Sequence, residues 1–229
     1  MHFALRSARP PAKILRLLKM KLDLHELNTF CVALPSRWPR MKERLERHAI
    51  PCTKWPAITP EMLSGGRYGQ FESRLNPAQK ACAASHAHLW HHILASDLPY
   101  AFILEDDILF AEGWKQQLEE LPDDPEWDAF FLNASEPLFP QDAWLPTQEQ
   151  WFTGAYIISR RGVEWLLQSY TTMAEADCMT WNLQRRGHSY SRFPWPCVQE
   201  CEDSTTGTDY AGNKGKLEQL LGPSLARYS

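Results

Sequence analysis

Short apolar runs alternate with amphipathic segments along most of this chain. Residues 28–34 (NTFCVAL) predict a strand that ends at Pro35, since proline cannot continue the strand's hydrogen bonding. Ser36 is placed to cap a following helix, in which apolar residues recur at helical spacing from Met41. The chain therefore opens as strand, tight loop and helix.

The next elements have clearer boundaries. A short strand is predicted near 52–55, and the proline- and glycine-rich segment 56–75 predicts a long loop. Asn76 and Gln79 are spaced as a capping box around Pro77, which predicts a helix that runs to about residue 95.

A continuous apolar run at 100–104 (YAFIL) predicts a strand buried on both faces, as is usual for a central parallel strand. Further strands are predicted at 127–132 and 152–158, followed by a helix capped by Ser159 and another at 174–186. This alternation predicts an α/β fold, with a mostly parallel sheet flanked by helices in a single domain. Ligands of such sheets bind at the carboxyl ends of the strands.

Charge is distributed unevenly along the chain. The 229 residues carry a net charge of −4, which argues against general nucleic-acid binding. Residues 1–22, however, contain six basic residues before the first acid, Asp23. With the apolar residues among them, they predict a basic N-terminal arm (1–27) that contacts an anionic membrane surface. The alternatives are a solvated arm or an extension upstream of a start at Met20.

The predicted membrane contact is with the surface of the bilayer and does not involve a spanning helix. No run approaches the roughly 20 apolar residues that a spanning helix needs, and no signal-peptide core is evident. We therefore expect the protein in the cytoplasm, at the inner face of the cytoplasmic membrane. The oligomeric state is not predicted.

Cysteine and histidine offer weak signals for zinc. The six cysteines contain no Cys-x-x-Cys pair, so free thiols are expected. Cys197 and Cys201 with His188 form only an incomplete ligand set. His88 and His92 are spaced for zinc on a helix, but no glutamate accompanies them, so ordinary helix-face histidines are the favoured interpretation.

Three consecutive carboxylates follow the strand at 100–104, namely Glu105, Asp106 and Asp107. Like charges so close together raise one another's pKa, and a divalent cation relieves that conflict. Mg²⁺ or Mn²⁺ prefers oxygen ligands and commonly joins carboxylates to substrate phosphates. We expect Asp107 to bind the metal directly, and Glu105 to act through water or to reach a ribose. The alternative is a solvated acidic turn.

The stretch 75–110 (LNPAQKACAASHAHLWHHILASDLPYAFILEDDILF) resembles glycosyltransferase family 25, which includes bacterial lipooligosaccharide galactosyl- and glucosyltransferases. The shared pattern is Cys-x-x-Ser-His on a helix, here Cys82, Ser85 and His86, followed by an aliphatic strand that ends in Glu-Asp-Asp. Weaker similarity covers 32–41, 154–167 and the closing elements to 204. Gln79 stands where the family often has glutamate.

This resemblance implies a GT-A fold, a Rossmann-like α/β domain at 28–204 that precedes a polar tail at 205–229. It also implies a UDP-sugar donor, Mn²⁺ or Mg²⁺, and inverting transfer of galactose or glucose to a saccharide or glycolipid acceptor such as lipooligosaccharide. The residues expected at the metal are Glu105 and Asp107, and those expected at the donor are Leu34, Pro35, Arg37, Arg40, Gln79, Ser85, His86, Glu105 and Asp106.

An inverting transfer also needs a general base for the acceptor hydroxyl. Asp177 matches an acid on a late helix of the family, and His188 is the second candidate. Trp144, Trp151 and Trp195 lie in predicted loops, where an indole ring can stack on a sugar; core packing is the alternative for each.

Two other functions use the same features. A metal-dependent phosphoesterase would employ the acidic triplet, but such enzymes usually bring further acids and histidines to two metals. A non-catalytic module that binds nucleotide sugars or glycans would retain the fold without turnover.

Overall fold

The computed structural model describes most of the chain, namely residue 22 and residues 27–63, 74–151, 153–172, 174–200 and 210–229, with only the backbone at 210–213. The predicted basic arm therefore lies almost entirely outside the described residues, as do Cys201 and much of the loop predicted at 56–75.

Strands and helices alternate through these residues. The strands are Thr29–Ala33 (β1), Thr53–Pro56 (β2), Tyr100–Glu105 (β3), Ile108–Phe110 (β4), Ala129–Phe131 (β5), Leu145–Pro146 (β6), Ala155–Ser159 (β7), Ser189–Ser191 (β8) and Cys197–Gln199 (β9). The helices are Trp38–Arg47 (α1), Pro60–Leu63 (α2), Pro77–Ala95 (α3), Trp114–Leu118 (α4), Arg160–Gln168 (α5), Ala176–Gln184 (α6) and Tyr210–Leu221 (α7), with a 3₁₀ helix at Gly222–Arg227. None of these helices combines the length and apolar character needed to cross a bilayer.

Seven strands form one sheet in the order β2-β1-β3-β7-β5-β8-β6, and β4 pairs with β9 in a separate antiparallel ribbon. The predicted α/β class is confirmed, but the sheet is mixed instead of mostly parallel. β1 pairs in parallel with β2 and β3, and β5 with β8, whereas the β3/β7, β5/β7 and β6/β8 pairs are antiparallel. The reason is that a loop with the short β6, and no helix, joins β5 to β7, and only a helical crossover imposes parallel pairing.

β3 lies inside the sheet, between β1 and β7, and is covered on both faces, as the apolar run predicts. Phe102 and Leu104 face a core layer that contains Trp114 of α4. Ile103 faces the other layer, which contains Trp90 of α3. All of these side chains are buried. The strand is therefore held rigidly, and so are the residues that follow it.

Two predicted helix starts are confirmed. At α3 the backbone N–H of Gln79 donates to Asn76 Oδ1 at 2.9 Å, and the Asn76 N–H donates to Gln79 Oε1 at 2.8 Å. At α5 the Gly162 N–H donates to Ser159 Oγ at 3.1 Å. Each cap satisfies a donor that the first helical turn leaves without an intrahelical acceptor.

The cap predicted for α1 is wrong. Arg37, not Ser36, occupies the N-cap position, and no side chain caps the helix. The N–H groups of Arg37 and Trp38 donate instead to the carbonyl oxygen of Leu34, at 3.1 and 3.0 Å. The tight turn after β1 therefore brings its own acceptor to the helix end.

The last described segment returns to the body of the protein. Ser229 and Phe110 exchange two backbone hydrogen bonds of 3.0 and 3.1 Å, which extends the β4 ribbon. The Tyr228 hydroxyl donates to the carbonyl oxygen of Trp195 at 2.8 Å, and Leu221 joins the small core cluster around Trp195. Both ends of the segment that follows α7 are thereby attached to the α/β body.

Gly162 is a position where the fold tolerates no side chain. A Cβ there would lie 2.6 Å from the carbonyl oxygen of Asp128, inside van der Waals contact. We expect Gly162→Ala to lower the free energy of unfolding by about 1–3 kcal/mol, measured by urea denaturation. Gly215→Ala is the matched control, because Gly215 is exposed in α7 with nothing within 4 Å of its Cβ position. The control should leave the free energy of unfolding unchanged or raise it by up to about 1 kcal/mol. Equal losses of stability in the two variants would contradict a clash at Gly162.

Candidate functional site

A cavity of about 370 Å³ opens where β1, β3 and β5 end. Its walls include the turn after β1, one face of α3, the acidic triplet after β3, and the first turn of α6. α7 closes one side with Leu217 and Leu220. Carboxyl ends of neighbouring strands meet at this edge, so it is the expected ligand-binding edge of an α/β sheet.

Asp106 joins the first loop to the central strand. Its Oδ2 accepts a 2.7 Å hydrogen bond from the Leu34 N–H, and its Oδ1 accepts one of 3.1 Å from Arg37. Burial raises the pKa of this carboxyl, while the Leu34 N–H and the Arg37 guanidinium lower it. Asp106, predicted to contact the donor, is thus engaged within the protein, and it positions Leu34 and Arg37 on the cavity wall.

Two other residues predicted at the donor do not reach the cavity. Pro35 is exposed and does not line it. Arg40 also lies outside its walls, and its Nη2 is 3.0 Å from Glu200 Oε2, the atom that Arg44 Nη2 approaches at 3.2 Å. Of these two arginines, Arg37 is therefore the one that meets the triplet, through Asp106.

Glu105 is oriented by a chain of buried hydrogen bonds. The Trp90 indole N–H donates to the Tyr156 hydroxyl at 2.9 Å, which leaves the Tyr156 hydrogen for His86 Nδ1 at 3.0 Å. His86 Nε2 then carries the ring hydrogen and donates to Glu105 Oε1 at 3.0 Å. The Gln199 amide donates to Glu105 Oε2 at 3.1 Å. Both carboxylate oxygens therefore have protein donors.

Asp107 is the member of the triplet with an unsatisfied atom. Its side chain is buried, and Oδ1 has no hydrogen-bond partner among the described residues. Burial raises the pKa of Asp107 to about 7, with further increases from the charges of Glu105 and Asp106 and smaller decreases from Arg37 and Gln199. A buried carboxylate oxygen without a donor is costly unless a ligand supplies the counter-charge. The site therefore fits an oxygen-preferring cation at Asp107.

A second group of ligand atoms lies beside the first. Cys82 Sγ, His86 Nε2 and Glu105 Oε1 all lie within 4.8 Å of one another, and Cys82 Sγ is 3.8 Å from Glu105 Oε1. Burial raises the pKa of the Cys82 thiol well above its ordinary value, followed by the charge of Glu105. This sulfur- and nitrogen-containing set is softer than the carboxylate oxygens of Asp107.

Asp177 faces the cavity from the first turn of α6. Its Oδ1 accepts hydrogen bonds from the backbone N–H and the hydroxyl of Thr153, at 2.9 and 2.7 Å. Within the described part of the chain its Oδ2 has no such partner. Burial raises the pKa of Asp177 to about 6; Glu105 raises it further, whereas Thr153 and His86 lower it. Asp177 is thus a fixed carboxylate that is ionised at neutral pH.

The model of glycosyltransferase family 25 (LPS biosynthesis protein) matches residues 35–143, which include α3, β3 and the acidic triplet. Over these residues, a little under half of its length, the chain is similar to glycosyltransferase family 25.

The relatives include bacterial proteins named for lacto-N-neotetraose or lipooligosaccharide biosynthesis. The lacto-N-neotetraose biosynthesis glycosyltransferase LgtB of Neisseria meningitidis serogroup B is 29% identical, over 56% of this chain and 54% of that protein. LgtE of the same organism is also 29% identical, over 43% of this chain and 41% of LgtE. The lipooligosaccharide biosynthesis protein lic2B of Haemophilus influenzae is 25% identical over 75% of each. The chain spans about half the length of the Neisseria relatives that it matches.

Not every predicted site residue lies at the cavity. His188 is near the opposite edge of the sheet, where β5 and β8 begin, and its carbonyl oxygen accepts from the Asp128 N–H at 2.7 Å. Its Nδ1 lies 3.1 Å from Asp124 Oδ2. The carboxyl ends of the same parallel strands point to the cavity, so His188 is separated from it by their length. We therefore propose no catalytic role for His188.

Gln79 and Ser85 line the cavity, but both are also engaged within the protein. Gln79 Nε2 donates to Glu175 Oε1 at 2.5 Å. The Ser85 hydroxyl accepts from the Ile58 N–H at 2.8 Å and donates to the Ala81 carbonyl at 2.7 Å. Ser85 thereby attaches the loop after β2 to α3, and it shapes the wall of the cavity.

The sequence analysis did not identify Asn133 or Thr153. Asn133 follows β5 at the cavity, and its Oδ1 accepts from the Ala155 N–H at 2.8 Å. The one signal for it was its position directly after the predicted strand at 127–132. Thr153 carried no signal, because its role depends on Asp177, which is distant in the chain.

The three tryptophans considered for sugar stacking differ in exposure. Trp144 and Trp195 are buried, although Trp195 lines the cavity and its Nε1 has no hydrogen-bond partner within the described ranges. Trp151 is 43% exposed and stacks on Trp181, with 6.1 Å between ring centroids and 21° between planes. Of the three, only Trp151 offers an exposed ring face.

Proposed function

We propose that this chain is a metal-dependent, inverting glycosyltransferase that moves galactose or glucose from a UDP-sugar to a saccharide acceptor. The observation that carries the proposal is the buried Asp107 carboxylate, whose Oδ1 lacks a partner among the described residues at the cavity edge. Lipooligosaccharide is the acceptor class that we favour, because the bacterial relatives are named for its biosynthesis or for that of lacto-N-neotetraose.

The donor diphosphate requires positive charge in the cavity. Asp107 would hold Mn²⁺ or Mg²⁺, with Glu105 beside it, and such a cation neutralises charge on a departing diphosphate. Arg37 adds a guanidinium that lines the same wall and is fixed by Asp106 at 3.1 Å. Preorganised charges of this kind favour a bound diphosphate at little reorganisation cost. Within the acidic triplet, Asp107 would thus bind a ligand, and Asp106 fixes the loop beside it.

Inversion at the anomeric carbon needs a single displacement, in which a base removes the proton of the acceptor hydroxyl. Asp177 is our candidate. Thr153 holds Oδ1 with two hydrogen bonds, so Oδ2 is the atom available to the acceptor. With a pKa of about 6, Asp177 is ionised at neutral pH yet more basic than an ordinary aspartate, which suits proton abstraction.

The acceptor sugar would lie against the exposed tryptophan surface beside Asp177. Trp181 follows Asp177 by one helical turn of α6, and side chains four residues apart share a helix face. Trp151, which stacks on Trp181, precedes Thr153 by two residues. The guanidinium of Arg185 lies over the Trp181 ring, 4.6 Å from its centre. An exposed indole can stack on the apolar face of a pyranose.

The first test is calorimetric titration of the protein with UDP, with and without Mn²⁺. We expect binding to require the metal, and Asp107→Asn to weaken metal-dependent binding by at least about tenfold, since it removes an anionic metal ligand. Asp123→Asn is the matched control, because Asp123 is exposed and lies outside the cavity. Asp107→Asn should melt no earlier than the parent without metal, because it removes a buried charge.

The same protein then receives UDP-galactose and UDP-glucose with saccharide acceptors. Transfer supports the proposal. Release of nucleotide without any acceptor would favour a phosphoesterase, and binding without turnover would favour a glycan-binding module. Failure of the parent protein to bind UDP at any metal concentration would contradict the donor site.

The pH dependence of transfer tests Asp177. Ionisation of this base should make kcat/KM rise through about pH 6 and level off above it, because only the carboxylate accepts a proton. Asp177→Asn should lower kcat at least about 100-fold at every pH while UDP binding in Mn²⁺ is retained. Asp107, whose pKa is raised to about 7, faces the same cavity, as do Glu105 and Cys82, so the rise near pH 6 is assigned to Asp177 only if the Asp177→Asn profile loses it. An unchanged profile would exclude Asp177.

Substitution of Trp151 tests the acceptor surface. Trp151→Ala should raise the KM of a soluble saccharide acceptor by about tenfold, which corresponds to one lost aromatic contact, and leave UDP affinity unchanged. Phe139→Ala is the control, since Phe139 is 68% exposed but contacts only Phe193 among the ring pairs of the described residues. If the two variants changed the acceptor KM equally, Trp151 would not be a contact of the acceptor.

A further inference from the structure

Three side chains of different chemistry meet at the end of β3. Cys82 and His86 are one helical turn apart on α3, so both present their side chains to the same face. Glu105 lies opposite them, with Oε1 at 3.0 Å from His86 Nε2 and 3.8 Å from Cys82 Sγ. Within the described ranges this is the one group of three such side chains whose ligand atoms all lie within 4.8 Å of one another.

These separations are close to the edges of a zinc coordination tetrahedron. Zinc bonds of about 2.3 Å to sulfur and about 2.0–2.2 Å to nitrogen or oxygen place neighbouring ligand atoms about 3.3–3.7 Å apart. The two measured edges, 3.0 and 3.8 Å, lie on either side of that range. Shifts of a few tenths of an ångström along these edges would suffice to admit an ion.

We propose that Cys82, His86 and Glu105 form a binding site for Zn²⁺, distinct from the oxygen-lined position at Asp107. A thiolate, an imidazole and a carboxylate are the ligand types that zinc uses, whereas Mg²⁺ and Mn²⁺ favour oxygen. Because Cys82 and Glu105 line the cavity, an ion can reach the site from there.

Occupation of the site requires two changes in hydrogen position. The Cys82 thiol releases its proton to solvent, since a coordinated thiol is deprotonated outright. The His86 ring hydrogen moves from Nε2, which binds the ion, to Nδ1, which then donates to the Tyr156 hydroxyl oxygen. That contact is 3.0 Å long and is retained with donor and acceptor exchanged. The Tyr156 oxygen has two lone pairs, so it also keeps the hydrogen bond from Trp90.

The surroundings of the three side chains already resemble the outer shell of a zinc site. Ligating histidines are usually oriented by a hydrogen bond at the second ring nitrogen, and Tyr156 provides one to His86. Ligating carboxylates are usually hydrogen-bonded as well, and Gln199 donates to Glu105 Oε2 at 3.1 Å, which leaves Oε1 for the ion. Two of the three ligands therefore need little reorientation.

Zinc in this position has a consequence that rests on the proposed function. Glu105 belongs to both ligand sets, so an ion held by Cys82 and His86 draws its carboxylate away from the cation at Asp107. Zn²⁺ should therefore inhibit sugar transfer that Mn²⁺ supports. The inhibition should be lost in a variant that lacks the sulfur ligand.

Binding is tested without any substrate. Co²⁺ substitutes for Zn²⁺ and shows an intense near-ultraviolet thiolate-to-cobalt charge-transfer band only when sulfur is a ligand. We expect the full chain to show this band, to lose it when Zn²⁺ is added, and to release about one proton per ion from Cys82. Cys82→Ser should abolish the band and weaken Zn²⁺ binding by more than about tenfold. Cys178→Ser is the matched control, as Cys178 is a half-buried free thiol on α6 outside the cluster.

The outcomes separate this site from the donor site. Asp107→Asn should retain the cobalt band while it loses Mn²⁺-dependent UDP binding, and Cys82→Ser should show the reverse. The absence of a charge-transfer band in the parent protein, or its persistence in Cys82→Ser, would overturn the zinc site. Neither result would decide whether Asp107 binds the donor cation. The titration with UDP and Mn²⁺ tests that assignment separately.

Discussion

Three adjacent carboxylates at the end of a buried strand each need a partner that replaces lost hydration. Glu105 accepts hydrogen bonds from His86 and Gln199, and Asp106 accepts hydrogen bonds that organise the loop after β1. Asp107 alone keeps an oxygen without a donor in the described structure. The different solutions give each acid a different task, since two are fixed by the protein and the third is left to a ligand. Much of the surrounding architecture, from α3 to β9, supplies these partners.

Because of that division of tasks, α3 is nearly as important as β3 for the geometry of the site. The helix packs against the sheet through residues such as Trp90, and the same residue begins the hydrogen-bond chain that ends at Glu105. Core packing and site geometry therefore share side chains. A substitution that only repacked this layer would also rotate His86 and alter the electrostatics of the cavity. Stability and chemistry are consequently difficult to change independently at this edge of the sheet.

Local signals in the sequence predicted local structure well. The capping box before α3 and the apolar run at 100–104 needed only neighbouring residues, and the structure confirms both. Features that depend on distant partners were not accessible. Ser36 lost its predicted capping role to a backbone carbonyl, Asp177 is held by Thr153 from another part of the chain, and His188 has suitable chemistry at the wrong end of its strand. The mixed pairing of the sheet likewise depends on the path of a loop, which hydrophobic periodicity does not record.

The hydrogen bonds of Tyr228 and Ser229 to the body hold in place the segment that follows α7, and with it the side of the cavity that α7 forms. These contacts touch Trp195 and Phe110, and Tyr228 and Ser229 lie outside the cavity lining. Substitutions at these two positions would therefore change the approach of a substrate to the cavity while every residue that lines it stayed intact.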